Sequence, residues 1–155
     1  MTDKPADPAL DILVARSAIT EVLHGYARGV RNGDVPACVE LFTHDAVFEV
    51  RDAAPAEPAG HRVRHLCRGR EEIRAYLQHG AVASVKVYPL LHNLMIRVDG
   101  LQASSNCMMS AWVLPAGRQV LGEYEDRYRW EQGWRFVSRI YTILGQIGPA
   151  PAQQA

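Results

Sequence analysis

Asp126 has the neighbours that make a side chain chemically interesting. In residues 122–139, GEYEDRYRWEQGWRFVSR, the period-2 rule of an extended strand puts Tyr124, Asp126, Tyr128 and Trp130 on one face. Glu123, Glu125, Arg127 and Arg129 fall on the other. A turn at Gln132-Gly133 starts a second strand with Trp134, Phe136, Ser138 and Ile140 on one face and Arg135, Val137, Arg139 and Tyr141 on the other. A carboxylate among aromatics predicts a sheet that lines a chamber. Asp126 then either serves a ligand or forms a buried ion pair with Arg139, which would fix it as a charged acceptor.

Other side chains admit a chemical and a plain reading. Tyr26, on the apolar stripe of the first helix, either donates its hydroxyl to a ligand carbonyl or bonds a backbone carbonyl as a core tyrosine. Arg31 could grip a carboxylate, enolate or phosphate bidentately, or reach solvent at a helix end, where a cation suits the dipole. His61, His65 and Cys67 alternate onto one strand face. No fourth ligand is evident, so a solvated edge strand is expected and no metal site. Cys38 and Cys107 read as small buried hydrophobes, and Met108, Met109 and Trp112 as core and pocket wall. There is no glycine-rich phosphate loop, nucleophile elbow or paired-cysteine motif, so no cofactor is expected.

The elements that position these groups follow from spacing. Asp7-Pro8 is a helix start, and Ile12, Ala15, Ile19, Val22, Leu23, Tyr26 and Val30 recur at helical intervals up to Asn32-Gly33. Asp34 caps a shorter helix carrying Cys38, Leu41 and Phe42. A first strand runs from Asp45 to Arg51, followed by a proline- and alanine-rich loop at residues 52–60 that is a candidate lid. His61 to Cys67 alternates as a strand, and Gly69 opens a third helix. From residue 85 the chain reads as strands 85–98, 102–114, 119–131 and 134–146, with turns at Asp99-Gly100 and Pro115-Ala116-Gly117. Helices first and antiparallel strands afterwards predict an α+β domain with the helices on one face of a curved sheet. One domain over residues 8–146 is expected, with residues 1–7 and 147–155 as flexible tails.

The chain has 155 residues, 48% hydrophobic and 22% charged, enough for one core. Seventeen basic and seventeen acidic side chains remove the basic excess that a nucleic acid or an anionic membrane would require, and lower the self-repulsion that opposes association. The cysteines number three, widely spaced, and neither a signal peptide nor an apolar span is evident. A soluble cytoplasmic protein is the expectation.

The order Tyr26…Gly33-Asp34, Leu41-Phe-Thr-His-Asp-Ala46, Gly69-Arg-Glu-Glu-Ile, Asn93…Val98-Asp-Gly100, Gly122…Tyr124…Asp126 and Gly133-Trp…Arg139 resembles the SnoaL-like branch of the nuclear transport factor 2-like superfamily. The resemblance spans roughly residues 10–145. It implies a cone-shaped roll, in which a bent, mainly antiparallel sheet wraps a long N-terminal helix, with two shorter helices and a deep apolar pocket. The superfamily includes polyketide cyclases, scytalone dehydratase, ketosteroid isomerase, a dehydrochlorinase and limonene epoxide hydrolase, together with members that only bind or scaffold.

Carried over position by position, the resemblance is partial. The Asp of the dehydratase and dehydrochlorinase dyad corresponds to Arg31, and its His to Pro89. His92 is one residue from Asn93 and faces away in a regular strand, unless a bulge seeded at Pro89 reverses the parity. Tyr26 and Asp126 match the oxyanion-hole tyrosine and acid of the isomerase, whereas its general base corresponds to Val50, with Glu49 on the opposite face. Arg139 matches a pocket arginine of the dehydrochlorinase. Arg97-Val98-Asp99 resembles the epoxide hydrolase pair without its second aspartate.

Two functions are therefore expected. The first is a cofactor-independent isomerase, dehydratase or cyclase acting on a hydrophobic, carbonyl-bearing, steroid- or polyketide-like molecule. Tyr26 and Asp126 would be catalytic, and Arg31, Asn93, Trp112, Tyr124, Arg139 and Tyr141 would bind substrate. The second is a ligand-binding or partner subunit of the same fold. A homodimer through the outer face of the long strands is expected in either case.

Overall fold

The computed structural model describes residues 8–81 and 85–149. Helices α1 (Pro8–Asn32) and α2 (Val35–Glu40) lead into strands β1 (Phe42–Ala53) and β2 (His61–Arg68). Helix α3 (Gly69–Ala81) and strands β3 (Lys86–Asp99), β4 (Gln102–Leu114), β5 (Arg118–Trp130) and β6 (Trp134–Ile147) follow. Asp7, the expected cap of α1, lies outside the described residues, as do 1–6, 82–84 and 150–155 of the expected tails and connections. Ile147, expected in the tail, is the last residue of β6. Leu41 and Phe42, expected on α2, are its C-cap and the first residue of β1, because the helix stops after six residues. The Asp34 carboxylate accepts from the Ala37 N–H at 3.0 Å and so caps α2. No helix among the described residues is long and apolar enough to cross a membrane.

The strands form one curved sheet in the order β2-β1-β6-β5-β4-β3, with β1 and β6 parallel and every other pair antiparallel. Tight turns join β3 through β6, with positive φ at Gly100, Gly117 and Gln132. The helix α1 lies against β3 and β6. Its buried stripe is Ile19, Leu23, Tyr26 and Gly29; Ile12, expected on that stripe, is 45% exposed. A Cβ at Gly29 would meet Cys38 Sγ at 2.5 Å, so glycine permits the close approach of α1 and α2. Tyr26, Phe42, Phe48, Tyr128 and Phe136 knit the core between helix and sheet.

Of the five register breaks in the sheet, two decide where the expected site residues face. On β6, Phe136 pairs with Tyr128 and Ser138 with Arg127, leaving Val137 as an extra residue. The strict alternation expected for this strand is therefore wrong beyond residue 136. The bulge brings Arg139 and Tyr141 onto the same face as Phe136, opposite Asp126 and Tyr124. On β3 the register breaks between His92 and Met95, with Asn93 at φ 53°. Trp130, expected inside with Asp126, is 46% exposed at the strand end.

Candidate functional site

Between the C-terminal half of α1, the last turn of α3 and the inner face of β3–β6 lies a cavity of about 780 Å³, within the usual range for small-molecule sites. Val30, Phe48, Leu77, Met109, Val113 and Val120 contribute apolar walls, and Tyr26, Tyr76, Tyr124 and Tyr141 contribute hydroxyl-bearing rings. Gly122 makes the room for Tyr141, since a Cβ there would collide with the Tyr141 ring.

Asp126 does not line this cavity. It is 2% exposed, and Arg139 beside it is 1% exposed. Arg139 Nε donates to Asp126 Oδ1 and Nη2 donates to Oδ2, each at 2.8 Å. The Tyr128 hydroxyl donates to Oδ2 at 3.3 Å and lies 2.7 Å from Ser105 Oγ. The guanidinium carbon is 4.0–4.3 Å from the ring centres of Tyr124, Phe136 and Tyr26, within cation–π reach. Burial works against the charge on Arg139, but the Asp126 charge and hydrogen bonds outweigh it and hold the guanidinium above its ordinary range. With both oxygens accepting from the guanidinium, the Asp126 carboxylate has neither oxygen turned to a ligand.

The tyrosines are in a different condition. Among the described residues no group hydrogen-bonds to the hydroxyls of Tyr26, Tyr124 or Tyr141. Burial pushes all three above the ordinary tyrosine range, with the Arg139 charge opposing it at Tyr26 and Tyr124. They are neutral hydrogen-bond donors at any physiological pH.

Arg31 lines the cavity rim at the end of α1, and Pro89 lines the wall. Asn93 and Trp112 are not at the cavity. Asn93 is exposed at the β3 irregularity, and Trp112 is 45% exposed on the outer face of β4, whose inner face is Cys107, Met109, Ala111 and Val113. The bulge falls after His92, not at Pro89, so His92 stays outside and contacts Ser110 Oγ at 3.1 Å. Glu49 is paired with Arg51 and does not line the cavity. Among the described residues no group of three or more His, Cys, Asp or Glu is arranged to hold a metal ion. His65, read in the sequence with His61 and Cys67, packs on Tyr76 with ring centres 5.1 Å apart and lines the cavity.

Sequence reasoning missed five polar lining residues: Asn32, Tyr76, His79, Lys86 and Arg118. Arg118 had a readable signal. It lies eight residues before Asp126 on a strand without a bulge of its own, so it shares the inner face with Val120, Gly122 and Tyr124.

The bent sheet folded over a long helix defines the nuclear transport factor 2-like class, and similar structures bear this out. The beta subunit of a candidate aromatic-ring-hydroxylating dioxygenase from Novosphingobium aromaticivorans superposes with a TM-score of 0.75 at 18% identity, over 86% of this chain and 92% of that one. A candidate scytalone dehydratase from the same organism gives 0.73 at 19% identity, over 92% and 96%. A hexachlorocyclohexane dehydrochlorinase, LinA type 2, gives 0.69 at 15%, over 95% and 97%. The SnoaL-like domain profile matches residues 11–140, and the chain belongs to that family. No curated protein matches the sequence significantly.

Proposed function

We propose that this protein binds a hydrophobic, carbonyl-bearing small molecule of steroid or polyketide type in the cone, without needing a cofactor. The observation that carries this reading is the set of unpartnered hydroxyls of Tyr26, Tyr124 and Tyr141 on an otherwise apolar cavity. Neutral donors of this kind suit a ketone oxygen, and an oxyanion if charge develops there. Asp126 and Arg139 act as the support beneath Tyr26 and Tyr124, which stack on the guanidinium. The test is a calorimetric titration with aromatic and steroidal ketones against their deoxygenated hydrocarbons. The ketones are expected to bind more tightly, and equal binding would remove the tyrosines from the account.

A catalytic version of this reading, isomerisation, dehydration or cyclisation, is supported by His65 and His79, which line the cavity beside the tyrosines. They are the imidazoles there, and imidazole is the side chain that most often serves as a general base. Turnover of enones or hydroxylated polyketides, followed by absorbance and abolished in His65→Gln or His79→Gln, would establish it. Turnover that survives both substitutions would discard these bases.

The homodimer is part of the same proposal. Tyr88 pairs with Trp112 across β3 and β4, and Leu90 and Leu121 flank Ser110 on the same outer face. Each of these four apolar side chains is at least 37% exposed, an arrangement typical of an interaction surface. Trp112→Glu is expected to shift the light-scattering mass from dimer to monomer.

A further inference from the structure

The polar lining of the cavity is one-sided in charge. Arg31 at the end of α1, Lys86 at the start of β3 and Arg118 at the start of β5 all line it, with His65 and His79. Among the described residues no aspartate or glutamate lines it. Nor does any described carboxylate lie within ion-pair distance of Arg31, Lys86 or Arg118, although Arg51, Arg62, Arg64, Arg70, Arg129 and Arg139 each have one. The whole chain carries equal numbers of acidic and basic residues, so this local excess is a property of the cavity and not of the composition.

Arg118 is the cation most firmly built into the wall. It pairs with Val113 of β4, while Lys86 pairs with the adjacent Leu114 from the other side, so both cations stand at the same end of the two strands that flank β4. Arg118 is half-buried, and its Nε–H is buried without a hydrogen-bond partner. A desolvated guanidinium donor is costly to leave unmatched, and its forked N–H groups fit the two oxygens of a carboxylate. A rim of one sign over apolar walls also concentrates anions at the opening.

Resting on the reading of the cavity as a ligand site, we propose that its ligands are organic acids. An aromatic or polycyclic body occupies the apolar interior, and a carboxylate sits on Arg118 at the rim beside Lys86 and Arg31. The carbonyl-directed tyrosines hold the far end of the molecule, so the preferred ligand is a keto acid or aromatic acid and not a neutral ketone.

The experiment compares carboxylates of benzene, naphthalene and phenanthrene with the matched methyl ketones by calorimetry. The carboxylates are expected to bind about tenfold more tightly, the gain typical of a charge-assisted pair. Arg118→Gln is expected to bring the two series within about twofold of each other by lowering the acids alone, whereas Arg127→Gln on the outer face removes the same charge and leaves the preference intact. If Arg118→Gln does not fold, the wild-type protein decides by salt: acid binding should weaken between roughly 20 and roughly 300 mM KCl while ketone binding holds. Equal affinity of acids and ketones, a preference that persists in Arg118→Gln, or an acid affinity indifferent to salt overturns the anion preference and leaves the pocket reading standing. Failure of both series to bind overturns the pocket reading and this one with it.

Discussion

The floor of the cone and the cavity lining above it both hold arginine and tyrosine, yet the two regions differ in how those groups are satisfied. At the floor, Arg139, Asp126, Tyr128 and Ser105 form a chain of hydrogen bonds sealed from solvent. Both Asp126 oxygens are matched in it, and Arg139 Nη1 alone has no hydrogen-bond partner, its guanidinium packed on three aromatic rings. On the cavity lining above it, Tyr26, Tyr124 and Tyr141 carry free hydroxyls in the interior and Arg118 at the rim carries a buried N–H without a partner. The Asp126 carboxylate, matched on both oxygens by the protein, has nothing left to offer a ligand. A polar group left unmatched in a cavity is costly unless something else arrives to match it. On the proposed reading the floor is architecture and the cavity lining is recognition, although residue type alone would make Asp126 the more inviting candidate.

Breaking the floor should have the largest effect. Asp126→Asn leaves the Arg139 charge buried and uncompensated, at an expected cost of about 3–5 kcal/mol. Combining Asp126→Leu with Arg139→Met should recover most of that loss, because a buried pair is often replaceable by apolar packing. Urea unfolding of the single and double variants measures both, and a double variant no better than the single would contradict the architectural role.

Gly122→Ala probes the boundary between the regions, since the added methyl displaces the Tyr141 ring. A loss of about 1–3 kcal/mol is expected, with weaker ketone binding; unchanged binding would remove Tyr141 from the site.

Alkaline titration sharpens the contrast between buried and free groups. Burial raises the Cys38 and Cys107 thiols from their ordinary 9.0 to about 11, and raises Tyr26, Tyr124, Tyr128 and Tyr141 as well. The folded chain keeps these protons where the unfolded chain releases them. The stability is therefore fully present below pH 9 and falls as the pH rises through the folded-state values. Melting temperatures flat to about pH 8.5 and declining above it are expected, and a flat profile to pH 11 would show the groups to be accessible.

The smallest effect on stability belongs to the cavity lining. Tyr26→Phe removes a hydroxyl that the protein does not use, so unfolding should change by less than about 0.5 kcal/mol. Ketone affinity should nonetheless drop by about two- to tenfold, the worth of one hydrogen bond. A stability loss without an affinity loss would make Tyr26 a core residue.

Much of this architecture was legible in the residues. Element order, the turns at Gly100, Gly117 and Gln132-Gly133, the Asp34 cap and the inward face of β5 follow from spacing and from residues that tolerate positive φ. The faces of β6 were not, because the extra residue at Val137 is neither glycine nor proline, and only pairing with β5 reveals it. Asn93 illustrates the same limit: a register break inside β3 leaves it exposed, and local sequence says nothing of the partner strand. Arg118 was overlooked for another reason. Its position beside the Pro115–Gly117 turn reads as solvated, while the strand parity that turns it inward requires counting back from Asp126.

A crystal structure with a bound aromatic ketone tests the division between floor and cavity lining most directly. The expected result is a carbonyl oxygen roughly 3 Å from a hydroxyl of Tyr26, Tyr124 or Tyr141, with the Asp126–Arg139 pair undisturbed below. A ligand oxygen bonded to Asp126, with Arg139 displaced to make way, would contradict the account.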